Sequence, residues 1–254
     1  MIRLDLSGRA ALVTGASRGL GRAAALLLAR AGCDIIAGYR LDAAGADEVT
    51  YACREFGRRA FAVRADVAVA AEADGLFAEA AHRLGGLDIL VANAGIWRGA
   101  AIAEMSEEEL AEMLDINVRG VFRCCRAAVP LMRARGGGRI ILVSSTAGQR
   151  GEAFHSHYAA SKGAVQSLTK SLAPELAGDG ILVNCIAPGW FDTEMSRPTL
   201  EDPAAAARVL DTIPLGRVGR PDEFAGAVLF LASELSSFIT GEILNVNGGA
   251  VLCG

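Results

Sequence analysis

The chain has 254 residues, 52% of them hydrophobic, and a formal net charge of −4. That length supports one substantial core. Acids and bases are interspersed, with no basic block of the kind nucleic-acid binding needs. No apolar run reaches the ~18 residues of a membrane span, and the opening MIRLDLSGRA carries no apolar leader. Six cysteines and three histidines are scattered without metal-ligand spacing. The expectation is one domain over 1–254, in a reducing cytoplasm, with no metal, membrane or nucleic-acid partner.

The first β-prone run, ALVTG (11–15), leads directly into VTGASRGLG (13–21) and a helix-length segment, 21–32, that ends at Gly32. Gly15, Gly19 and Gly21 in this strand–turn–helix order permit a tight turn and close backbone approach. They leave a helix N-terminus free to face a phosphate. The spacing is G-x-x-x-G-x-G and lacks the G-K-[ST] end of an ATP-binding P-loop. A dinucleotide is the expected ligand.

The second run, DIIAGY (34–39), ends in Tyr39-Arg40. A carboxylate at this point would accept hydrogen bonds from both ribose hydroxyls of NAD. None is present, and Arg18 and Arg40 offer charged donors for a 2′-phosphate. NADP(H) is therefore preferred; the alternative is NAD(H), with Asp42 turning in to hold the ribose.

Further runs follow at 60–66, 87–95, 139–145, 181–189 and 242–249, separated by helical segments at 70–85 and 106–136. Ser106 and Glu109 have capping-box spacing. The runs are nearly continuous in apolar character, as in strands covered on both faces. About seven such runs alternating with helices imply an α/β fold with a doubly wound, mostly parallel sheet. Its ligands belong beyond the carboxyl ends of the strands.

Only two of the 25 basic residues are lysines, and one stands in HYAASK, 157–162. Tyr158 and Lys162 are four apart and share a helix face. A phenol near pKa 10 is a poor acid or base at neutral pH. A neighbouring ammonium favours the phenolate and makes the tyrosine usable as a general acid–base. Ser145, at the end of the run 139–145, offers a hydroxyl to polarise a substrate carbonyl. No G-x-S-x-G elbow supports a serine hydrolase, and no lysine in the glycine loop supports phosphoryl transfer.

At this point the residues resemble the classical short-chain dehydrogenase/reductase family across essentially the whole length. The matching pieces are TGASRGLG (14–21), RADV (64–67), NAG (93–95), Asn117, Ser144-Ser145, YAASK (158–162), NCIAPGWFDTEM (184–195) and NVNGG (245–249). The resemblance implies a Rossmann-type fold and hydride transfer between NAD(P)(H) and a carbonyl or alcohol. It implies that Tyr158 is the acid–base, Lys162 the ribose-binding lysine that depresses the tyrosine pKa, Ser145 the polarising serine, and Asn117 the holder of a relay water. It carries the phosphate loop onto Gly15, Ser17, Arg18, Gly19, Leu20 and Gly21, the adenine side onto Tyr39, Arg40, Asp66 and Val67, and the turn along the cofactor onto Asn93, Ala94 and Gly95. Pro188, Gly189 and Thr193 match the nicotinamide side. Asn247 stands where aspartate is frequent, a change expected to affect a turn or subunit contact.

Within the family the chain is most similar to the 3-oxoacyl-[acyl-carrier-protein] reductases. That suggests a 3-oxoacyl thioester substrate and a homotetramer. Sugar, polyol, steroid or small-ketone dehydrogenases share the same features, and a non-catalytic dinucleotide sensor is the reading from a different class. Residues 190–217 form the expected substrate lid, and Trp97, Phe154, Trp190 and Phe191 are the candidate apolar wall around Ser145.

Overall fold

The computed structural model describes residues 4–252; residues 1–3 and 253–254, Cys253 among them, lie outside that range. Strands β1 (Ala10–Thr14), β2 (Asp34–Tyr39), β3 (Ala60–Arg64), β4 (Ile89–Ala92), β5 (Gly138–Val143), β6 (Ile181–Pro188) and β7 (Ile243–Val246) make one sheet in the order β3-β2-β1-β4-β5-β6-β7. Every neighbouring pair is parallel. The helices, in chain order, are α1 (Gly19–Arg30), α2 (Ala43–Glu55), α3 (Ala70–Leu84), α4 (Glu107–Leu114), α5 (Gly120–Ala134), the single turn α6 (Ala147–Arg150), α7 (Ser156–Leu176), α8 (Arg197–Leu200), α9 (Pro203–Asp211) and α10 (Pro221–Ala232).

The two-residue period of a strand sends alternate side chains to opposite faces. Leu12, Ile36, Leu90 and Ile140 meet α3, α5 and α7 on one face. Ala11, Val13, Ile35, Ile89 and Ile141 meet α1, α2 and α10 on the other. Both faces are dry, so the sequence along each central strand reads as an apolar run rather than an alternation. Burying each large aliphatic side chain here contributes about 1.5–3 kcal/mol.

The expected single helix over 106–136 is broken. The Ser106–Glu109 capping box starts α4 as expected. Residues Asp115–Arg119 then form a π turn, with Gly120 N donating to Asp115 O, before α5 resumes. Such one-turn bulges re-aim a side chain and cluster at functional sites; this one points Asn117 into the interior, fully buried. Several strands are shorter than the apolar runs, most clearly 87–95 and 242–249, because the last residues of those runs leave the ladder for loops. α2 and α10 were not anticipated as helices, and both cover the sheet.

At the amino end of the sheet Asp88 is buried. Its carboxylate accepts from Ala10 N at 2.8 Å, Arg135 Nη2 at 3.0 Å and Arg9 Nη1 at 3.3 Å. A buried carboxylate is tolerated only when its lone pairs are filled in this way. The clasp ties β1, the turn before β4 and the end of α5 at the end of the sheet opposite the cleft. At the carboxyl end, the chain leaves β1 toward β2 on one side, while β4 pairs with β1 on the other. That reversal opens a crevice where ligands of doubly wound sheets bind.

Candidate active site

The crevice has about 390 Å³ of room. Its wall includes Gly15, Ser17, Arg18, Gly19 and Leu20 from the first turn, Tyr39 and Arg40 from the end of β2, Asp66 and Val67 after β3, and Asn93, Ala94 and Gly95 after β4. Ser145, Tyr158 and Lys162 form the far side, with Pro188, Gly189 and Thr193 after β6. The loops that the sequence placed together are therefore brought to one cleft. Gly21 and Asn117 stand behind this wall.

The phosphate turn is built by close approach. Thr14 Oγ1 accepts from Asn93 N and Ala94 N at 3.0 and 2.9 Å, and Asn93 Nδ2 donates back to Thr14 O and Gly15 O. Gly15 takes φ +65°, the left-handed region that favours glycine. No side chain caps α1 and no acid stands in its first turn. An uncapped helix start lined by Ser17 and Arg18 fits the pyrophosphate of a dinucleotide.

At the adenine end, the Arg40 guanidinium lies 3.5 Å from Asp66 Oδ2, half-exposed on the cleft. Asp42 Oδ1 accepts from Gly45 N at 2.9 Å and caps α2. Asp42 itself lines the cleft beside Arg40.

Tyr158, on α7, packs with Met113 and Ala147. Burial pushes its phenol up to about 12, while a hydrogen bond from Ser145 pulls it down and the Glu152 carboxylate raises it. Ser145 Oγ also accepts from Ala147 N at 3.1 Å, which fixes the hydroxyl. Lys162 is buried, its Nζ donating to Val143 O at 2.9 Å and lying 5.8 Å from the centre of the tyrosine ring. Burial pushes the lysine down to about 8. Burial is the largest influence on the phenol in this arrangement, with Ser145 and Glu152 acting on it in opposite directions.

Asn117 is a clamp. Its Oδ1 accepts from Ile96 N at 2.9 Å, and its Nδ2 donates to Ile96 O at 3.0 Å and to Ser161 Oγ at 3.2 Å. Ser161 Oγ in turn donates to Tyr158 O at 2.7 Å. The π turn thereby joins the loop after β4 to the helix that carries the tyrosine.

At the mouth, Trp97 and Trp190 meet edge to face at 5.7 Å, and both line the cleft. Phe191 also reaches it, but is buried and packs edge to face on Phe224, so it supports the wall from within. Phe154 is a correction. Its backbone takes φ +62°, the residue is 72% exposed, and it is not among those that line the cleft. Sequence reasoning did not find Glu152, Ile96 and Met195, which also line the cleft; a lone acid or aliphatic residue in a loop carries no spacing that would mark it. Asn247 holds a turn, as expected of that position: Oδ1 accepts from Gly249 N and Nδ2 donates to Val251 O, both at 2.9 Å.

Comparison with known proteins decides the family. The family described as Enoyl-(Acyl carrier protein) reductase matches residues 15–251. A 3-oxoacyl-[acyl-carrier-protein] reductase of Synechocystis is 40% identical over 248 residues, 97% of this chain and 98% of the relative. A 3-oxoacyl-[acyl-carrier-protein] reductase of Staphylococcus aureus is 40% identical over 241 residues, 95% and 97% of the two chains. The chain belongs to the classical short-chain dehydrogenase/reductase family.

Solved structures agree. A short-chain type dehydrogenase/reductase from Mycobacterium marinum superimposes with a TM-score of 0.93 at 38% identity, covering 99% of this chain and 98% of that one. A structure from Agrobacterium tumefaciens described as a 2-deoxy-D-gluconate 3-dehydrogenase, with NADP bound, gives 0.91 at 37% identity, covering 98% and 99%. The protein is an NAD(P)-dependent oxidoreductase acting between carbonyls and alcohols. The sensor reading is set aside, since the acid–base set stands assembled in the cleft. Among the described residues, no helix is long and apolar enough to cross a membrane, and no group of three or more His, Cys, Asp or Glu is placed to hold a metal ion.

Proposed function

We propose that this protein is a cytoplasmic NADPH-dependent reductase of 3-oxoacyl thioesters, working as a homotetramer with residues 190–217 as its lid. The observation that carries the reading is the convergence of Tyr158, Ser145 and Lys162 on one cleft behind an apolar, aromatic mouth. The names of the curated relatives, matched over nearly their whole length, support the thioester.

When bound, the nicotinamide supplies or takes up the hydride. The protein's own groups manage the oxygen. Ser145 donates to the carbonyl oxygen, and Tyr158 gives it a proton as negative charge develops there. Lys162 faces Gly95 and the tyrosine ring, where it holds the ribose. Asn117 fixes the loop on which the substrate rests and, by family likeness, holds the water that returns a proton to the phenol. Arg18 and Arg40, both on the cleft wall, would hold the 2′-phosphate through charged N–H donors.

A second reading, a sugar-acid or polyol dehydrogenase, is favoured by the description of the Agrobacterium structure and by Arg150 and Glu152 at the cleft. One experiment tests cofactor and substrate together. Rates are measured with NADPH and NADH for acetoacetyl thioesters, cyclic ketones, sugar acids and polyols, using wild type and R40A. The expected result is the highest kcat/KM on the thioester with NADPH. R40A should weaken NADPH by about tenfold or more and leave NADH nearly unchanged, as for loss of one charge-assisted hydrogen bond. Tighter NADH binding by wild type overturns the cofactor assignment; a sugar acid or polyol faster by orders of magnitude overturns the substrate.

The tetramer is supported by family likeness and by apolar surface. β7 is an edge strand, a place for another chain to pair or pack. Phe238 and Leu252, which flank it in sequence, are largely exposed, as is Phe122 on α5. Large exposed apolar side chains beside an edge strand support contact with another chain. Light scattering on the eluting peak should give the mass of four chains, and a monomer at micromolar concentration refutes it. The cytoplasmic assignment rests on the thiols: Cys33, Cys53, Cys124, Cys125 and Cys185 are all buried and unpaired.

A further inference from the structure

Three loops form the substrate mouth: 96–100 after β4, 150–155 after α6, and the segment around Trp190 after β6. No regular element joins them. A small set of contacts centred on His155 links them. Its imidazole lies flat on the Trp97 indole, with centroids 4.7 Å apart and planes within 6°. Trp97 then meets Trp190 edge to face.

The backbone is shaped to deliver this ring. Phe154 is the one non-glycine residue with positive φ among the described residues. For a bulky side chain that conformation is strained, and such strain persists where the surroundings require it. Here it turns Phe154 O toward Ala100 N, which donates to it at 2.7 Å. His155 Nδ1 lies 3.1 Å from Ala153 O, so this nitrogen carries the proton and donates. The other edge of the ring rests on Gly99, where a Cβ would lie only 2.9 Å from Nε2. The imidazole is therefore fixed on both edges and on one face, and the indole it supports lines the cleft.

We propose that His155 is a positioning residue for substrate specificity. By stacking on Trp97 it sets the aromatic corner that holds the part of the substrate beyond the carbonyl. The inference rests on the carbonyl-reductase reading of the site, though not on which carbonyl compound is used. The His155 side chain pairs with Ala153 O, Glu152 and Trp97 and not with the polar groups of Ser145, Tyr158 or Lys162, so its effect falls on binding rather than on proton transfer.

The test compares wild type, H155A and H155F on the carbonyl substrate that wild type turns over fastest. H155A should raise KM for that substrate by about three- to tenfold, the range for losing one aromatic contact. Its kcat and its Kd for NADPH should stay within about twofold of wild type. H155F keeps a flat ring without the hydrogen bond and should recover most of the KM. Both tryptophans of the chain lie in this corner, so intrinsic fluorescence reports on it alone. The emission of H155A should shift, and that of H155F should stay close to wild type. An unchanged KM in H155A, with an active wild type, overturns the proposal and leaves the reductase reading intact. Equal damage in H155A and H155F, with a matching fall in thermal midpoint, marks a merely structural histidine and also overturns it. A wild type inactive on every carbonyl tested defeats the reductase reading first, and the proposal with it.

Discussion

Replacing Tyr158 with phenylalanine should lower kcat by about 10²-fold or more, the range for a positioned acid–base group. Folding and NADPH binding should be nearly unchanged. The ring keeps its packing on Met113 and Ala147, and the lost hydroxyl leaves only Ser145 without that partner. The pH dependence of the wild type follows from the same surroundings. Burial holds the phenol up at about 12, so the proton stays on oxygen around neutral pH. Carbonyl reduction, which needs the protonated form, should not lose rate there for want of it. Alcohol oxidation needs the phenolate and should gain rate as pH rises. K162R is the complementary variant. Lys162 Nζ lies 2.9 Å from Val143 O and 3.4 Å from where a Cβ on Gly95 would stand, and a guanidinium does not fit that space. Turnover and cofactor affinity should both fall. Measuring kcat, Kd for NADPH and thermal midpoint separates these effects; a Y158F enzyme near the wild-type rate means the proton comes from another group.

Adding one methyl group at Gly21 should damage the enzyme almost as severely. A Cβ there would stand 2.2 Å from Gly15 O and 2.5 Å from Asn93 Nδ2. Both are atoms of the network that shapes the phosphate turn, and neither is the end of a flexible surface chain. The turn must open and α1 must shift. Overpacking of this kind costs about 1–3 kcal/mol. That corresponds to a loss of about 2–12 °C in thermal midpoint for a chain of this size. Because the displaced atoms line the cofactor site, NADPH affinity should fall by about tenfold or more. G75A is the control. Gly75 lies within α3 with nothing within 4 Å of a Cβ. Alanine there should leave NADPH binding unchanged and add up to about 1 kcal/mol through helix propensity. If G21A binds NADPH as wild type does, the close approach assigned to Gly21 is not required for the site.

The sequence by itself determined the pattern of the fold and most of the cleft. Apolar runs alternating with helical segments are enough to imply a doubly wound sheet, since strands buried on both faces have no polar side to show. The glycine turn, the missing acid after Tyr39 and the Tyr158–Lys162 spacing are legible because each is a local relation along the chain. α2 escaped because most of it faces solvent, and α10 because apolar residues surround nearly the whole helix and blur the period. Only the tertiary structure decided how Asn117 is used: the π turn is a property of two helices competing for register, and no local spacing announces it. The burial of Tyr158 was also beyond the sequence, because it depends on what other segments cover. The same holds at the mouth. Trp97, His155 and Trp190 lie on three loops far apart along the chain, and Phe154, the most apolar candidate among their neighbours, is exposed and not among the residues that line the cleft. Which of several aromatic residues meet is set by where the strands deliver their loops, and that is fixed only when the whole sheet has formed.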